Sequence, residues 1–211
     1  MTRTLRYRIL ALQAGLVVIL GFCAGFAFWA SSYVQSQVST QLTAQGIVFP
    51  AANSPEITAL PKADAAAMRQ YAGQTLTTGP QAEVWANDFM RIHLLAMPTY
   101  DQAATIARAH PTNAADQATW NTVFMGTTDR AMLLNAYGWW TVGTYTSFAA
   151  IGLAVAAFAV LVALGFELWR FSVAAREEKS APASLPVPAP AHGYGTTAPG
   201  YGVAQFTRHD S

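Results

Sequence analysis

The chain has 211 residues, of which 53% are hydrophobic and 11% are charged, and its formal net charge at pH 7 is +1. Such a composition lies outside the usual range of soluble globular domains and indicates a membrane protein. The small net charge and the lack of a helix-turn-helix or base-stacking motif exclude nucleic acid as a partner.

The first predicted element is a transmembrane helix over residues 9–30, which follows a cytoplasmic N-terminus over residues 1–8. No residue between Arg8 and Glu56 carries a full charge. The apolar run would extend about 33 Å as a helix, enough to cross a hydrocarbon core of ~30 Å. A cleaved secretory signal is the alternative, although the run exceeds the usual ~7–15-residue signal core.

Residues 31–145 are predicted to form a small helical domain outside the cytoplasm. The apolar stripe of Val34, Val38 and Leu42 carries the first helix beyond the membrane as far as Gly46. Prolines 50, 55 and 61 then indicate a loop, and the sequence KADAAAMRQYAG indicates a short helix that ends at Gly73.

The strongest helical pattern of this domain covers residues 80–97, between Pro80 and Pro98. Either Thr78 or Gly79 precedes its first turn, and its apolar stripe predicts that the helix is largely buried. Short helices follow around DQAATIARAH and around AADQATWNTVFMG, the second of which is expected to end at Gly126. A new helix is then expected to start with Thr127 or Thr128 as its N-cap.

The second transmembrane helix is predicted over residues 146–169. The uncharged run of residues 131–166 would reach about 54 Å as a helix, more than a bilayer requires, so its first part must project outward. Residues 170–211 are predicted to be a disordered cytoplasmic tail rich in proline, glycine and tyrosine. Its LPVPAP stretch leaves open binding to a polyproline reader.

Basic residues near the two apolar runs predict the orientation of the protein. They flank the ends of the two runs that are farthest from the helical domain. The positive-inside rule places such basic residues in the cytoplasm. These residues are Arg3, Arg6 and Arg8 before the first run and Arg170, Arg176 and Lys179 after the second. Both termini are therefore predicted to be cytoplasmic, and the protein to lie in the plasma membrane.

Aromatic residues lie where the apolar runs meet the helical domain and at the end of the second run. Such residues commonly anchor helices at the headgroup level. The predicted anchors are Trp29, Tyr33, Tyr137, Trp139, Trp140, Tyr145 and Trp169. For the stretch NAYGWWTVG, a core between helices and a ligand-binding aromatic box are the two alternatives.

Small residues at four-residue spacing indicate close helix packing in both apolar runs. Gly21 and Gly25 form a GxxxG motif in the first run, and Gly152 and Ala156 have the same spacing in the second. These positions predict that the two spans pack against each other. Contact with a second copy or with a partner protein is the alternative.

The sequence contains no set of residues that indicates catalysis. His93 and His110, with Glu83 or Asp88, are the candidate ligands for a two-histidine, one-carboxylate iron site, but they match no metal motif. The single cysteine, Cys23, lies in an apolar run, and neither GxSxG nor SxxK occurs. We therefore predict no catalytic residue, no cofactor and no bound metal.

The stretches QLTAQGIVFP, YAGQTLTTGPQAEVWANDFMRIHL and DRAMLLNAYGWWTVG resemble a group of uncharacterised two-span membrane proteins of high-GC Gram-positive (actinobacterial) bacteria. The resemblance covers about residues 8–171 and departs from that group at Met97-Pro98, where a more polar turn is expected. It implies an all-α membrane architecture in the plasma membrane and no established activity.

These observations predict an all-α membrane protein whose two transmembrane helices extend into a small helical extracytoplasmic domain. Besides the lipid bilayer, its expected partner is another membrane or envelope protein, or a second copy of itself, and no small-molecule ligand is indicated. The expected function is that of a non-enzymatic accessory or assembly subunit. An extracytoplasmic sensor is the first alternative and a metal-dependent enzyme the second.

Overall fold

The computed structural model describes residues 3–180, which form helices and connecting loops without a β-strand. The predicted all-helical fold is therefore confirmed for this part of the chain. The predicted disordered tail over residues 170–211 is wrong for residues 170–180, which are the last turns of α7, and its residues 181–211 lie outside the described part. The helices are α1 (Arg3–Ala44), α2 (Pro55–Thr58), α3 (Lys62–Arg69), α4 (Gly79–Val84), a π-helix (Trp85–Met90), α5 (Arg91–Leu95), α6 (Tyr100–Ala109) and α7 (Ala114–Ser180). Residues Met1–Arg170 form one compact unit, and the second unit, from Phe171, contains the last turns of α7.

Two of these helices are long and apolar enough to cross a membrane, over Thr4–Ala44 and Ala114–Ala174. Their apolar halves carry large exposed side chains such as Phe22 and Phe158, whereas the core helix of a soluble protein is mostly buried. Within residues 9–30 and 147–169, only Ala24 and Ala150 are buried.

The two long helices run antiparallel and meet through small and polar residues. The Ser31 hydroxyl of α1 donates to the Gly143 carbonyl of α7 at 2.7 Å and lies 2.5 Å from the Ser147 hydroxyl. One turn further along α1, the Gln35 amide donates to the Thr144 hydroxyl at 3.3 Å. Since Ser31 is buried, these bonds satisfy its hydroxyl inside the helix contact.

The hydrophobic core of the helical domain lies around the α1 end that follows Ser31. The predicted stripe is confirmed for Val38 and Leu42, which are buried there together with Leu133 of α7. The short helices supply the other buried residues of this core: Phe49, Ile57, Leu60, Ala65, Met68, Leu76, Ala82 and Ala86. The core of the helical domain therefore packs against the two long helices.

The predicted helix between Pro80 and Pro98 is present as three consecutive segments. It begins with Thr78 as N-cap, whose hydroxyl accepts from the Gln81 backbone while the Gln81 side chain accepts from the Thr78 backbone. The π-helix in its middle was not expected from the sequence.

The predicted helix end at Gly126 is wrong, because α7 continues through this residue without a break. The Thr127 hydroxyl bonds back to the Val123 carbonyl at 2.8 Å instead of capping a new helix. Gly126 lies against Leu94, where a β-carbon would come within 2.9 Å of the Leu94 Cδ2 atom. The glycine therefore permits close packing of α5 on α7.

Candidate functional site

The π-helix at Trp85–Met90 places polar groups in the middle of a largely apolar helix. The Arg91 backbone N–H donates to the Ala86 carbonyl, five residues earlier, as a π-turn requires. Arg130 of α7 donates to the same carbonyl through Nε at 3.1 Å and to the Asn87 side chain through Nη2 at 2.8 Å. Arg130 thus ties α7 to the widened turn.

A second arginine joins the π-helix to α3. Arg91 donates to the Asn87 carbonyl at 2.8 Å and forms an ion pair with Asp64 at 3.0 Å. Asp64 is buried, so the guanidinium supplies the positive charge that a buried carboxylate requires.

Asp88 is a second carboxyl group close to Asp64 and Arg91. Burial raises the pKa of Asp88, and its hydrogen bond with Asp64 and the negative charge of Asp64 raise that pKa further. Arg91 opposes this change without reversing it. Asp88 therefore holds a proton at higher pH than an ordinary aspartate.

A cleft of about 670 Å³ opens beside this cluster, between α1, the π-helix and α7. One wall is formed by Val38, Gln41 and Leu42 of α1 and by Gln45 directly after its end. The α7 wall repeats at helical spacing, with residues 128 and 129, 132 and 133, 135 and 136, and 139. Such a volume falls in the ~300–1,000 Å³ range of small-molecule sites.

The lining of the cleft is mainly apolar with polar groups among it. Its apolar side chains are Val38, Leu42, Ile47, Trp85, Met90, Met132, Leu133, Ala136 and Trp139. The polar ones are Gln41, Gln45, Thr128, Asp129 and Asn135. This set of residues could not be predicted from the sequence, because its members come from three separate segments. Only the i, i+3, i+4 repeat on α7 could have marked one of its walls.

The histidines of the iron-site hypothesis each bond elsewhere. His93 Nδ1 lies 2.8 Å from the Phe89 carbonyl, and His110 Nδ1 lies 2.9 Å from Asp116 Oδ2. Across residues 3–180, no three His, Cys, Asp or Glu side chains are grouped so that they could hold a metal ion. The structure therefore does not bring His93, His110 and Glu83 or Asp88 together as ligands.

The two adjacent tryptophans of NAYGWWTVG have different surroundings. Trp139 is 54% exposed, whereas Trp140 is half-buried and packs on the domain core against Gly79. For Trp140, the core alternative therefore describes the contacts best. Among the other predicted anchors, Tyr137 is half-buried, and Trp29, Tyr33, Tyr145 and Trp169 are exposed.

The small residues predicted to pack the spans lie away from the contact between α1 and α7. A β-carbon on Gly21, Gly25 or Gly152 would have no neighbour within 4 Å, and Ala156 is exposed. Gly143 is the glycine at the contact, where a β-carbon would come within 3.0 Å of Gln35. An added β-carbon on these three glycines would therefore meet no neighbouring helix, and packing of the spans through the four residues stays a prediction.

The predicted topology residues lie at the ends of the two long helices. The side chains of Arg6, Arg8, Arg170 and Arg176 are exposed. Because α1 and α7 are antiparallel, Arg6, Arg8 and Arg170 lie at the same end of the helix pair. Arg3 and Lys179 belong to α1 and α7, but their side chains are outside the described part.

Comparison of the chain with protein-family models, with curated proteins and with solved structures finds no match. The functional inference therefore rests on the fold and on the surfaces of this structure.

Proposed function

We propose that the protein is a two-span plasma-membrane protein whose helical domain lies outside the cytoplasm and binds another membrane or envelope protein. The two apolar halves of α1 and α7 are the spans, and their shared end with Arg6, Arg8 and Arg170 faces the cytoplasm. The exposed anchors Trp29, Tyr33, Trp139 and Tyr145 then lie near one outer headgroup level, with Trp169 at the opposite side.

The observation that carries this proposal is an apolar surface far from the apolar halves of the helices. Phe124 and Met125 of α7 are 51% and 56% exposed, and Leu95 at the end of α5 is 71% exposed. Tyr100 of α6 is also exposed, and its ring lies tilted against that of Phe124, with ring centroids 6.2 Å apart.

With the membrane boundary proposed at residue 147, this surface lies too far out for lipid to cover it. Met125 lies 22 residues before residue 147, or about 33 Å along a straight helix. The polar headgroup layer of a bilayer adds only ~5–8 Å to each side of the hydrocarbon core. Exposed apolar side chains at that distance favour a protein partner.

Orientation can be tested by cysteine labelling, because Cys23 is the single native cysteine. In a Cys23→Ala background, an impermeant maleimide should label Gln70→Cys in intact cells and label Thr4→Cys only after permeabilisation. Both native side chains are exposed, so accessibility alone does not distinguish them. The reverse pattern, or equal labelling at both positions, would overturn the proposed topology.

Partner binding can be tested by a photocrosslinking residue at position 124 or 125. We expect one discrete adduct that contains a second membrane or envelope protein, or a second copy if the protein self-associates. The same residue at Gln70, an exposed polar position away from α7, is the control. Phe124→Glu should abolish the co-purification of that partner, and Gln70→Glu should not. Equal crosslinking at positions 70, 124 and 125 would contradict the proposal.

A sensor is the second candidate, and the unbroken course of α1 and α7 favours it. Each helix runs without a break from the domain core into its apolar half. A displacement of α1 relative to α7 in the domain would therefore be transmitted to the opposite ends of both helices. Removing residues 181–211 should then alter the response in cells. An unchanged phenotype would exclude signalling through that segment.

A further inference from the structure

The cleft between α1, the π-helix and α7 begins at Trp139, the residue proposed near the outer headgroup level, and extends away from the membrane. Leu133 on its α7 wall precedes residue 147 by 14 residues, which is about 21 Å along the helix. The apolar lining would therefore face water mainly at Met132 and Trp139, which are exposed, because Val38, Leu42 and Leu133 are already buried. A hydrocarbon group that enters removes this surface from water, which is favourable by roughly 25 cal/mol per Å².

The exposed residues at the edge of the cleft indicate the side from which such a ligand would enter. Met132 and Trp139 are 65% and 54% exposed, and Trp139 is the lining residue closest along α7 to the apolar half. Below Trp139, the cleft is separated from the apolar halves by the contacts of Ser31 and Gln35 with α7. A ligand would therefore enter from the side, past Trp139, and not from between the two spans.

The polar groups of the lining restrict the charge of the ligand. Gln41, Gln45 and Asn135 offer side-chain amides, and Thr128 offers a hydroxyl. Asp129 is the charged side chain among the lining residues described, and no lysine, arginine or histidine accompanies it. An anionic head would meet the Asp129 carboxylate without a countercharge, whereas a sugar, an alcohol or an ammonium would find hydrogen-bond partners.

We propose that this cleft binds a single-chain amphiphile, with its hydrocarbon chain against Trp85 and Met132 and its uncharged or cationic head at Gln45, Asn135 and Asp129. The volume of about 670 Å³ accommodates one chain and a small head. The site is distinct from the apolar surface at Phe124 and Met125, so the protein can bind an amphiphile whether or not that surface binds a partner.

Tryptophan fluorescence gives a direct test, because Trp85 lines the cleft and Trp120 of α7 does not. Two variants each keep one of these tryptophans and carry phenylalanine at the other five, and both are placed in lipid nanodiscs. The probes are alkyl chains with a terminal bromine, which quenches tryptophan on contact, linked to maltoside, trimethylammonium or carboxylate. Saturable quenching of Trp85 by the first two is expected, with binding of the carboxylate weaker by about tenfold.

A second arm identifies where the ligand comes from. Nanodiscs made with lipids brominated on their chains, without added probe, should quench Trp85 if the bilayer supplies the chain. Quenching only by added amphiphile would indicate supply from the outer solution. In both cases the cleft is the binding site, and Trp120 should stay unquenched.

Two substitutions that fill the cleft keep the test independent of folding. Ala136→Phe projects into the cleft from a half-buried position, and Asn135→Phe does so from an exposed one that leaves the core unchanged. Both should abolish saturable quenching of Trp85, whereas Ala131→Phe, at an exposed position outside the lining, should not. The proposal is overturned if Trp85 is quenched no more than Trp120, if the carboxylate probe binds as tightly as the others, or if folded Asn135→Phe retains saturable quenching.

Discussion

Gly79 lies directly against Trp140, so that a β-carbon at position 79 would overlap the Cβ and Cγ atoms of that tryptophan. The contact joins the first turn of α4 to α7 and holds the half-buried indole on the domain core. Trp140 is thereby a structural element of the domain, whereas its neighbour Trp139 faces outward.

Gly79→Ala is therefore expected to destabilise the domain. The added methyl must displace Trp140 or α4, and overpacking of this kind costs about 1–3 kcal/mol. The midpoint of thermal unfolding in detergent measures the change. Gly138→Ala is the matched control, because that helical glycine has no neighbour within 4 Å of a β-carbon. It should leave stability unchanged or raise it by up to ~1 kcal/mol.

The two tryptophans should respond differently to replacement by alanine. Trp140→Ala is expected to lower stability by about 2 kcal/mol, less than the ~3–5 kcal/mol of a fully buried aromatic, because the indole is half-buried. Trp139→Ala should leave thermal unfolding in detergent unchanged. Because Trp139 is proposed as a headgroup anchor, the Trp139→Ala substitution should instead change the membrane depth of a spin label at Thr146→Cys, measured in a Cys23→Ala background. Equal loss of stability in both variants would contradict the separate roles.

Elements that depend on neighbouring residues could be predicted from the sequence. The apolar run of α1, the stripe of Val38 and Leu42, and the start of α4 at Thr78 and Pro80 each depend on signals within about two turns. The structure agrees with these three predictions because hydrophobic periodicity and helix capping depend on residues close together in the sequence.

The features that were missed depend on contacts between distant residues. Gly126 does not end a helix because Leu94, on another element, packs against it. The π-helix is bonded by Arg130, which is 44 residues from Ala86. Since sequence spacing does not encode such pairs, neither the widened turn nor the cleft beside it could be read from the chain alone.

The contact of Gly143 with α1 predicts a second pair of matched variants. A leucine at position 143 would meet Gln35 and the Ser31 carbonyl and would separate the two long helices. We expect a loss of about 1–3 kcal/mol from overpacking. Gly138→Leu, five residues earlier on the same helix, should be tolerated. Comparable melting midpoints for the two leucine variants would show that the helices do not depend on this contact.

Ser31 offers a test of the same contact without added bulk. Its hydroxyl bonds to the Gly143 carbonyl and meets Ser147, so Ser31→Ala removes the donor and leaves Ser147 with one partner fewer. A loss of about 1 kcal/mol is expected, as for other hydrogen bonds of this type. Ser36→Ala on the exposed face of α1 is the control and should have little effect.

The raised pKa of Asp88 predicts how stability changes with pH. Because burial and the neighbouring Asp64 raise this pKa in the folded state, the folded protein retains the Asp88 proton to higher pH than the unfolded chain. The stabilisation is complete below the ordinary aspartate pKa of ~3.9 and is lost as pH rises through the folded-state pKa. Asp88→Asn keeps a neutral side chain of the same shape at every pH, so this loss should disappear.

The measurement is the melting midpoint of the native protein and of Asp88→Asn across the mildly acidic to neutral range. The midpoint difference, variant minus native, should grow as pH rises, because only the native protein must ionise a carboxyl beside Asp64. A difference that is constant with pH, or that shrinks toward neutral pH, would show that Asp88 ionises like an exposed aspartate.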